Sequence, residues 1–305
     1  EWGINMRIAN TTKFPYQLTL GALAKDSLIY EMGKAIAKDC WRLGIHINFA
    51  PVTDVNINPN NPVINDRSFG ENKYKVTAFA IQFMKGLQDN DVMACAKHFP
   101  GHGNTATDSH KDLPMINRSL TELHDVELFP FKKIFAAGVA STMVAHLYIP
   151  AIDSTANTAT SISKNSVTDL LRNQLHFNGL TFTDALDMQG VKKFFPNGAA
   201  SVQAIIAGND MLCLPEDVPI SIQKVNETIA AGKLSRADIE LPYYRLKMHC
   251  QFTYILNGTD DLNNPRRCCF GDLFDNFSVA QYFFTCLRLL FSGGSHLHYC
   301  IGNTA

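Results

Sequence analysis

From about residue 20 to about residue 245 the chain alternates between two textures. Short β-branched or apolar runs end in polar residues, Gly or Pro, and longer amphipathic runs follow them. The short runs are Ile45-His46-Ile47-Asn48-Phe49-Ala50, Val92-Met93-Ala94-Cys95-Ala96, Ala140-Ser141-Thr142-Met143-Val144-Ala145, Leu180-Thr181-Phe182-Thr183 and Met211-Leu212-Cys213-Leu214. Their length and composition predict strands. Segments 25–43, 73–89, 120–137, 163–175 and 199–207 carry apolar residues at helical spacing and predict helices. Gly44, Gly138, Gly179 and Gly208 each fall between a helical run and a strand, where a left-handed helix C-cap is wanted. Such a repeating βα unit implies a parallel sheet.

A doubly wound sheet and a (β/α)8 barrel both fit this alternation. No glycine-rich phosphate loop follows an early strand, which lowers the nucleotide-binding option. The chemically interesting residues stand just after strand-like runs, at what would be the C-terminal face of a barrel. The expected fold is therefore α/β, a (β/α)8 TIM-type barrel. Five strands are convincing, a weak sixth lies near residues 15–21, and nothing precedes it, so a barrel lacking its first strand is expected.

Composition narrows the function classes. The chain has 305 residues, 46% hydrophobic and 18% charged, which suits a globular protein with a substantial core and excludes disorder. Lys plus Arg is 27 against 28 Asp plus Glu, for a formal net charge of -1. That balance lacks the positive surplus a nucleic-acid or polybasic membrane partner needs. No run of about 18 or more apolar residues marks a membrane-spanning helix. Cys40, Cys95 and Cys213 lie in apolar runs and read as buried thiols. Cys250, Cys268, Cys269, Cys286 and Cys300 crowd the end of the chain in no zinc or disulfide spacing. Residues 246–305 also lose helical and strand periodicity, so the expected organisation is one domain over 1–245 and an unassigned segment after it. A divergent extension and a non-native or frame-shifted stretch both fit that segment.

The densest polar cluster runs from Lys97 to His110, directly after a predicted strand, and holds His98, His102, His110, Lys97 and Asp108. The four-residue spacing of His98 and His102 would suit a metal pair on a helix, but Pro100, Gly101 and Gly103 argue against a helix there. Asp108 stands two residues from His110, close enough in a tight loop to orient the imidazole and raise its proton affinity. A solvated loop with incidental histidines explains any one of these residues better than all together. Asp184 closes the Leu180–Thr183 run and reads equally as a nucleophile or a helix N-cap. Asp187 is the more natural capping or surface carboxylate. Arg67, in the loop Ile64-Asn65-Asp66-Arg67-Ser68-Phe69-Gly70, suits either an oxygen-rich ligand or a pairing with Asp66.

These residues resemble glycoside hydrolase family 3, in its β-N-acetylhexosaminidase branch. Lys97-His98-Phe99-Pro100-Gly101-His102-Gly103, four residues, then Asp108-Ser109-His110 match its signature throughout. Asn48 to Asp54, Arg67-Ser68-Phe69-Gly70, His146-Leu147-Tyr148-Ile149-Pro150, Phe182 to Leu186 and Ala207 to Leu212 follow in the family's order. Glu1-Trp2-Gly3 looks like the interior of an early family motif, which is why the first strand and a sugar-binding aspartate are expected upstream. The resemblance covers about residues 1 to 245.

The resemblance implies a retaining double displacement without a cofactor. Asp184 matches the nucleophile, His110 the acid/base and Asp108 its partner. Lys97, His98 and Arg67 match residues that hold sugar hydroxyls, with Asp54 a further candidate. Relatives acting on glucosides take their acid/base from a second domain, whereas this chain carries the Asp108–His110 pair. The implied substrate is a terminal β-linked N-acetylglucosamine on peptidoglycan-derived or related saccharides, in a bacterial setting. Two same-site alternatives stand beside it: a phosphorylase using phosphate in place of water, and an inactive barrel that binds sugar. A metal-dependent hydrolase built on His98, His102, His110 and His146 is the reading from a different class.

Overall fold

A computed structural model of the chain describes residues 1–108 and 112–255. Among the described residues four parallel strands form the sheet: β1 (Ile47–Asn48), β2 (Met93–Phe99), β3 (Ser141–Val144) and β4 (Leu180–Thr183), hydrogen-bonded in that order. Met211 continues the progression by bridging in parallel to Phe182 on the far side of β4. Order along the chain is thus order in the sheet, with none of the reversal that defines a doubly wound fold.

The sheet is also rolled. Phe49, just past β1, and Phe182, in β4, bring their ring centroids to 5.1 Å in an edge-to-face contact. On a flat sheet three strand spacings would hold them about 14 Å apart. Alternation along β2 gives the sheet two apolar faces. Ala94 and Ala96 join a cluster with Phe79, Phe83 and Phe131 of the flanking helices. Cys95 joins another with Met143, Phe182 and Met211 of neighbouring strands, against which Ile47, Phe49 and Met93 pack. Both faces are buried, as in a parallel sheet wrapped by helices. Cys40, Cys95 and Cys213 are all buried thiols.

The helices follow the apolar periodicity closely. A short turn, α1 (Gln17–Leu20), precedes α2 (Ser27–Arg42) and α3 (Lys73–Gln88). Asn72 caps α3 by accepting from the Tyr74 and Lys75 N–H groups. Helices α2 and α3 approach backbone to backbone: a Cβ on Gly86 would lie 2.3 Å from the Tyr30 carbonyl oxygen, and one on Gly33 2.7 Å from that of Phe83. The run 120–137 is two helices, α4 (Leu120–Asp125) and α5 (Leu128–Ala136). Segment Asn165–Gln174 is π-helical, and α6 (Gln189–Lys192), α7 (Ala199–Ala207), α8 (Val218–Ala230) and α9 (Arg236–Ile255) complete the order. Helix α9 runs through the expected boundary at 245, and residues 256–305 lie outside the described residues. Among the described residues no helix is long and apolar enough to cross a membrane.

Two expectations change. Residues 15–21, read as a weak strand, hold the helical turn α1, because Leu20 and Gly21 bond back to Tyr16 and Gln17 instead of to a neighbouring strand. Of the four glycines expected at left-handed caps, Gly44, Gly138 and Gly208 have φ of 68°, 89° and 102°. Gly179 is needed for space instead, since a Cβ there would lie 2.4 Å from the Ala140 carbonyl oxygen.

Candidate active site

The C-terminal ends of the strands gather the polar residues. Lys97 and His98 are the last polar positions of β2, joined by a cis peptide. Asp54 follows Thr53, whose N–H donates to the Lys97 carbonyl at 2.6 Å. The Asp54 side chain has no exposure to solvent, and its carboxylate is fully engaged. It accepts the His98 N–H at 3.2 and 3.1 Å and the His102 N–H at 2.6 Å, and it meets His98 Nδ1 at 2.8 Å. Burial alone would raise this carboxyl, but the contacts with His98 and His102 outweigh it and hold Asp54 below its usual value. Asp54, a further binding candidate from the sequence, therefore supports His98 from a fully buried position.

That support orients the His98 ring. With Nδ1 directed at Asp54, Nε2 faces Arg67 Nη2 at 3.1 Å. An arginine only donates, so the hydrogen-bond pattern assigns the ring proton to Nδ1 and the lone pair to Nε2. Arg67 lies in the short helical turn Asn65–Arg67 and turns away from Asp66 toward Glu1. Its Nε donates to Glu1 Oε2 at 2.9 Å and its Nη2 to Oε1 at 2.6 Å, a bidentate pair. Lys97 Nζ reaches the same Oε1 at 2.8 Å. Burial disfavours the Glu1 anion, yet the Lys97 and Arg67 charges hold its carboxyl well below the ordinary range. Glu1 is a site residue that sequence reasoning passed over, although the Glu1-Trp2-Gly3 motif was the signal for it.

Asp184 takes the position directly after β4. Its N–H donates to the Val144 carbonyl at 2.8 Å, which extends the sheet register, and one carboxylate oxygen accepts the Ala185 N–H at 2.9 Å. It caps no helix, because the next one, α6, begins at Gln189. Burial opposes its ionisation, but His98, His146, the Ala185 N–H and Lys97 together bring the carboxyl down to about 2. Asp187 is exposed.

His146 braces that position from below. Its Nε2 meets the Ala185 carbonyl at 2.8 Å and its Nδ1 meets Ser161 Oγ at 2.7 Å, in a fully buried setting. His102 is buried too, with Nδ1 at 2.9 Å from Thr105 Oγ1, and burial together with His98 pushes it down to about 4. These hydrogen bonds direct the ring nitrogens of His98, His102 and His146 to separate partners. Among the described residues no group of three or more His, Cys, Asp or Glu side chains could hold a metal ion. Asp108 is half-buried in the loop after β2, and His110 lies outside the described residues.

The geometry thus gathers Lys97, His98, Arg67, Glu1 and Asp184 above the strand ends. The family model described as the glycosyl hydrolase family 3 N terminal domain matches residues 1–247. The chain belongs to glycoside hydrolase family 3. The family's α/β fold with a parallel sheet, the (β/α)8 barrel, is its fold as well. Beta-hexosaminidase A of Pseudoalteromonas piscicida is 38% identical over 217 residues, covering 67% of this chain and 36% of that protein. A beta-hexosaminidase of Neisseria meningitidis serogroup C is 35% identical over 190 residues, covering 60% of this chain and 52% of its own. The structure of a family 3 beta-N-acetylglucosaminidase from Paenibacillus sp. str. FPU-7 superposes with a TM-score of 0.78 at 34% identity, over 84% of this chain and 49% of that one. The chain spans between 36% and 52% of the length of these curated family 3 relatives.

Proposed function

We propose that this family 3 domain carries the catalytic site of a retaining β-N-acetylhexosaminidase, removing terminal β-N-acetylglucosamine from peptidoglycan-derived or related saccharides. The observation that carries the reading is Asp184, an ionised carboxylate at a strand end, surrounded by Lys97, His98 and Arg67. A nucleophile must be deprotonated and close to the sugar, and the surrounding donors suit hydroxyl groups.

In the proposed reaction a carboxylate oxygen of Asp184 attacks the anomeric carbon. The bond to the leaving oxygen breaks as His110, paired with Asp108, gives that oxygen a proton. The product is a glycosyl ester on Asp184. His110 then takes a proton from water, whose oxygen attacks the same carbon and frees Asp184. Two inversions restore the β configuration. Lys97, His98 and Arg67 hold the hydroxyls, while Asp54 and Glu1 set the direction of His98, Arg67 and Lys97. An Asp-paired imidazole transfers protons near neutral pH, which is the task a second carboxylic acid performs elsewhere.

The test is release of nitrophenol from an aryl N-acetyl-β-glucosaminide, with and without phosphate and chelator, beside Asp184→Asn. The reading expects turnover that survives chelator and is lost in the variant. Dependence on phosphate would make the protein a phosphorylase of the same family. Loss with chelator, or full activity in the variant, would contradict the reading.

A further inference from the structure

Segment Val144-Ala145-His146, at the end of β3, grips segment Asp184-Ala185-Leu186, directly after β4. The Val144 carbonyl accepts the Asp184 N–H at 2.8 Å, and His146 Nε2 meets the Ala185 carbonyl at 2.8 Å. The Leu186 N–H donates to the Cys213 carbonyl at 2.9 Å. Asp184 Oδ1 in turn accepts the Ala185 N–H at 2.9 Å. The direction of the Asp184 carboxylate is thus tied to the backbone of Ala185, and that backbone is tied to the His146 ring.

The ring is itself aimed by a chain of buried polar groups. A carbonyl only accepts, so the contact with Ala185 assigns a proton to Nε2, and Nδ1 faces the Ser161 hydroxyl at 2.7 Å. Ser161 is held from two sides: its N–H donates to the Ala145 carbonyl at 3.1 Å, and its carbonyl accepts from Asn209 Nδ2 at 2.8 Å. The same Asn209 nitrogen donates to the Ala204 carbonyl of α7 at 2.8 Å. His146, Ser161 and Asn209 are fully buried. Apolar side chains would fill this space without the cost of burying polar groups. What the polar chain adds is direction, and it ends on the residue next to Asp184.

We propose that His146, aimed by Ser161, is a positioning residue for the nucleophile: by holding the Ala185 carbonyl it sets the Asp184 carboxylate in line for attack. This rests on the glycosidase reading above. Lys97, His98 and Arg67 hold the sugar in that reading, so loss of the His146 donor slows the attack and leaves sugar binding in place. His146→Leu removes the donor. His146→Gln puts an amide N–H back at the reach of Nε2.

The test separates attack from binding. Attack is read by mass spectrometry as the rate of ester formation from a ring-fluorinated N-acetyl-β-glucosaminyl fluoride, whose fluoride leaves without a proton donor. Binding is read by calorimetry as the Kd for N-acetylglucosamine. His146→Leu should slow ester formation by about 10- to 100-fold and change the Kd by no more than about twofold. His146→Gln should recover to within about fivefold of the unaltered rate, because the carbonyl regains a donor. An unchanged rate in His146→Leu, a Kd weakened as much as the rate, or a folded His146→Gln as slow as His146→Leu would each overturn the proposal. Thermal melting checks folding. If His146→Leu does not fold, Ser161→Ala, which removes only the hydroxyl that aims the ring, must slow ester formation at unchanged Kd. An unchanged rate or an equal weakening of binding there overturns the proposal. Failure of the unaltered chain to form any ester would reject the glycosidase reading itself, before any variant is compared.

Discussion

Asp184 owes its ionised state to its neighbours, since burial works against it. Asp184→Asn removes the attacking oxygen's charge and should cut kcat/KM by at least about a thousandfold, measured on an aryl N-acetyl-β-glucosaminide. The depressed carboxyl also has a stability consequence. Its contribution is present above its ordinary value of 3.8 and is lost as pH falls through about 2. His102 acts in a higher window. Folding lowers this base from 6.5 to about 4, so the unfolded chain binds the extra proton between those values and stability falls as pH drops from 6.5 to 4. The unfolding midpoint of the unaltered chain should decline more steeply across that window than that of His102→Gln. Parallel curves would contradict a neutral buried His102. That Asp184, Lys97, His98 and Arg67 are candidates was legible because each sits in a local run with a recognisable order. The roles of Asp54 and Glu1 were not, because they depend on partners far along the chain: His98 is 44 residues from Asp54, and Arg67 is 66 residues from Glu1.

At the scale of elements, the long amphipathic runs were the legible part. Helices α3 and α7 stand within a residue of the periodic segments 73–89 and 199–207. What local pattern did not reveal was set by tertiary contact. The run 120–137 stays apolar at helical spacing, yet the chain breaks at Val126 and Glu127, and Glu127 pairs with Arg118. Strand β1 stops at Asn48, where the Ala50 N–H turns back to the Asn48 carbonyl at 2.7 Å, and hydrogen bonding to β2 resumes at Ala50, Pro51 and Thr53. The close crossing of α2 and α3 was equally invisible, since a glycine in a helix reads only as a weak helix former. Gly86→Ala would place a methyl group against the Tyr30 carbonyl and should destabilise the fold by about 1–3 kcal/mol. Urea unfolding reads this directly, and an unchanged midpoint would mean that the helices separate at no cost.

At the scale of the whole molecule, the rolled sheet makes the site by bringing residues from β2, β4 and the Arg67 loop to one rim. Parallel order along the sheet was legible from the βα repeat, while its rolling is visible in the contact of Phe49, just past β1, with Phe182 of β4. Strand β4 is tied to α9 by Asp210. Its carboxylate accepts from the Thr181 N–H at 2.8 Å and pairs with Arg172 and, at 2.8 Å, with Arg245 of α9. Asp210→Ala removes that carboxylate from two guanidinium groups and should cost about 3 kcal/mol, seen as a lower unfolding midpoint. A midpoint within error of the unaltered chain would show that α9 is held by apolar packing alone. The central claim concerns one bond, between Asp184 and the anomeric carbon of the sugar. The most direct measurement is mass spectrometry of the chain after incubation with a ring-fluorinated N-acetyl-β-glucosaminyl fluoride, which forms the ester quickly and hydrolyses it slowly. The account predicts a mass increase of one sugar residue, mapped by peptide digestion to Asp184. An adduct on another residue, or turnover with no adduct at all, would contradict it.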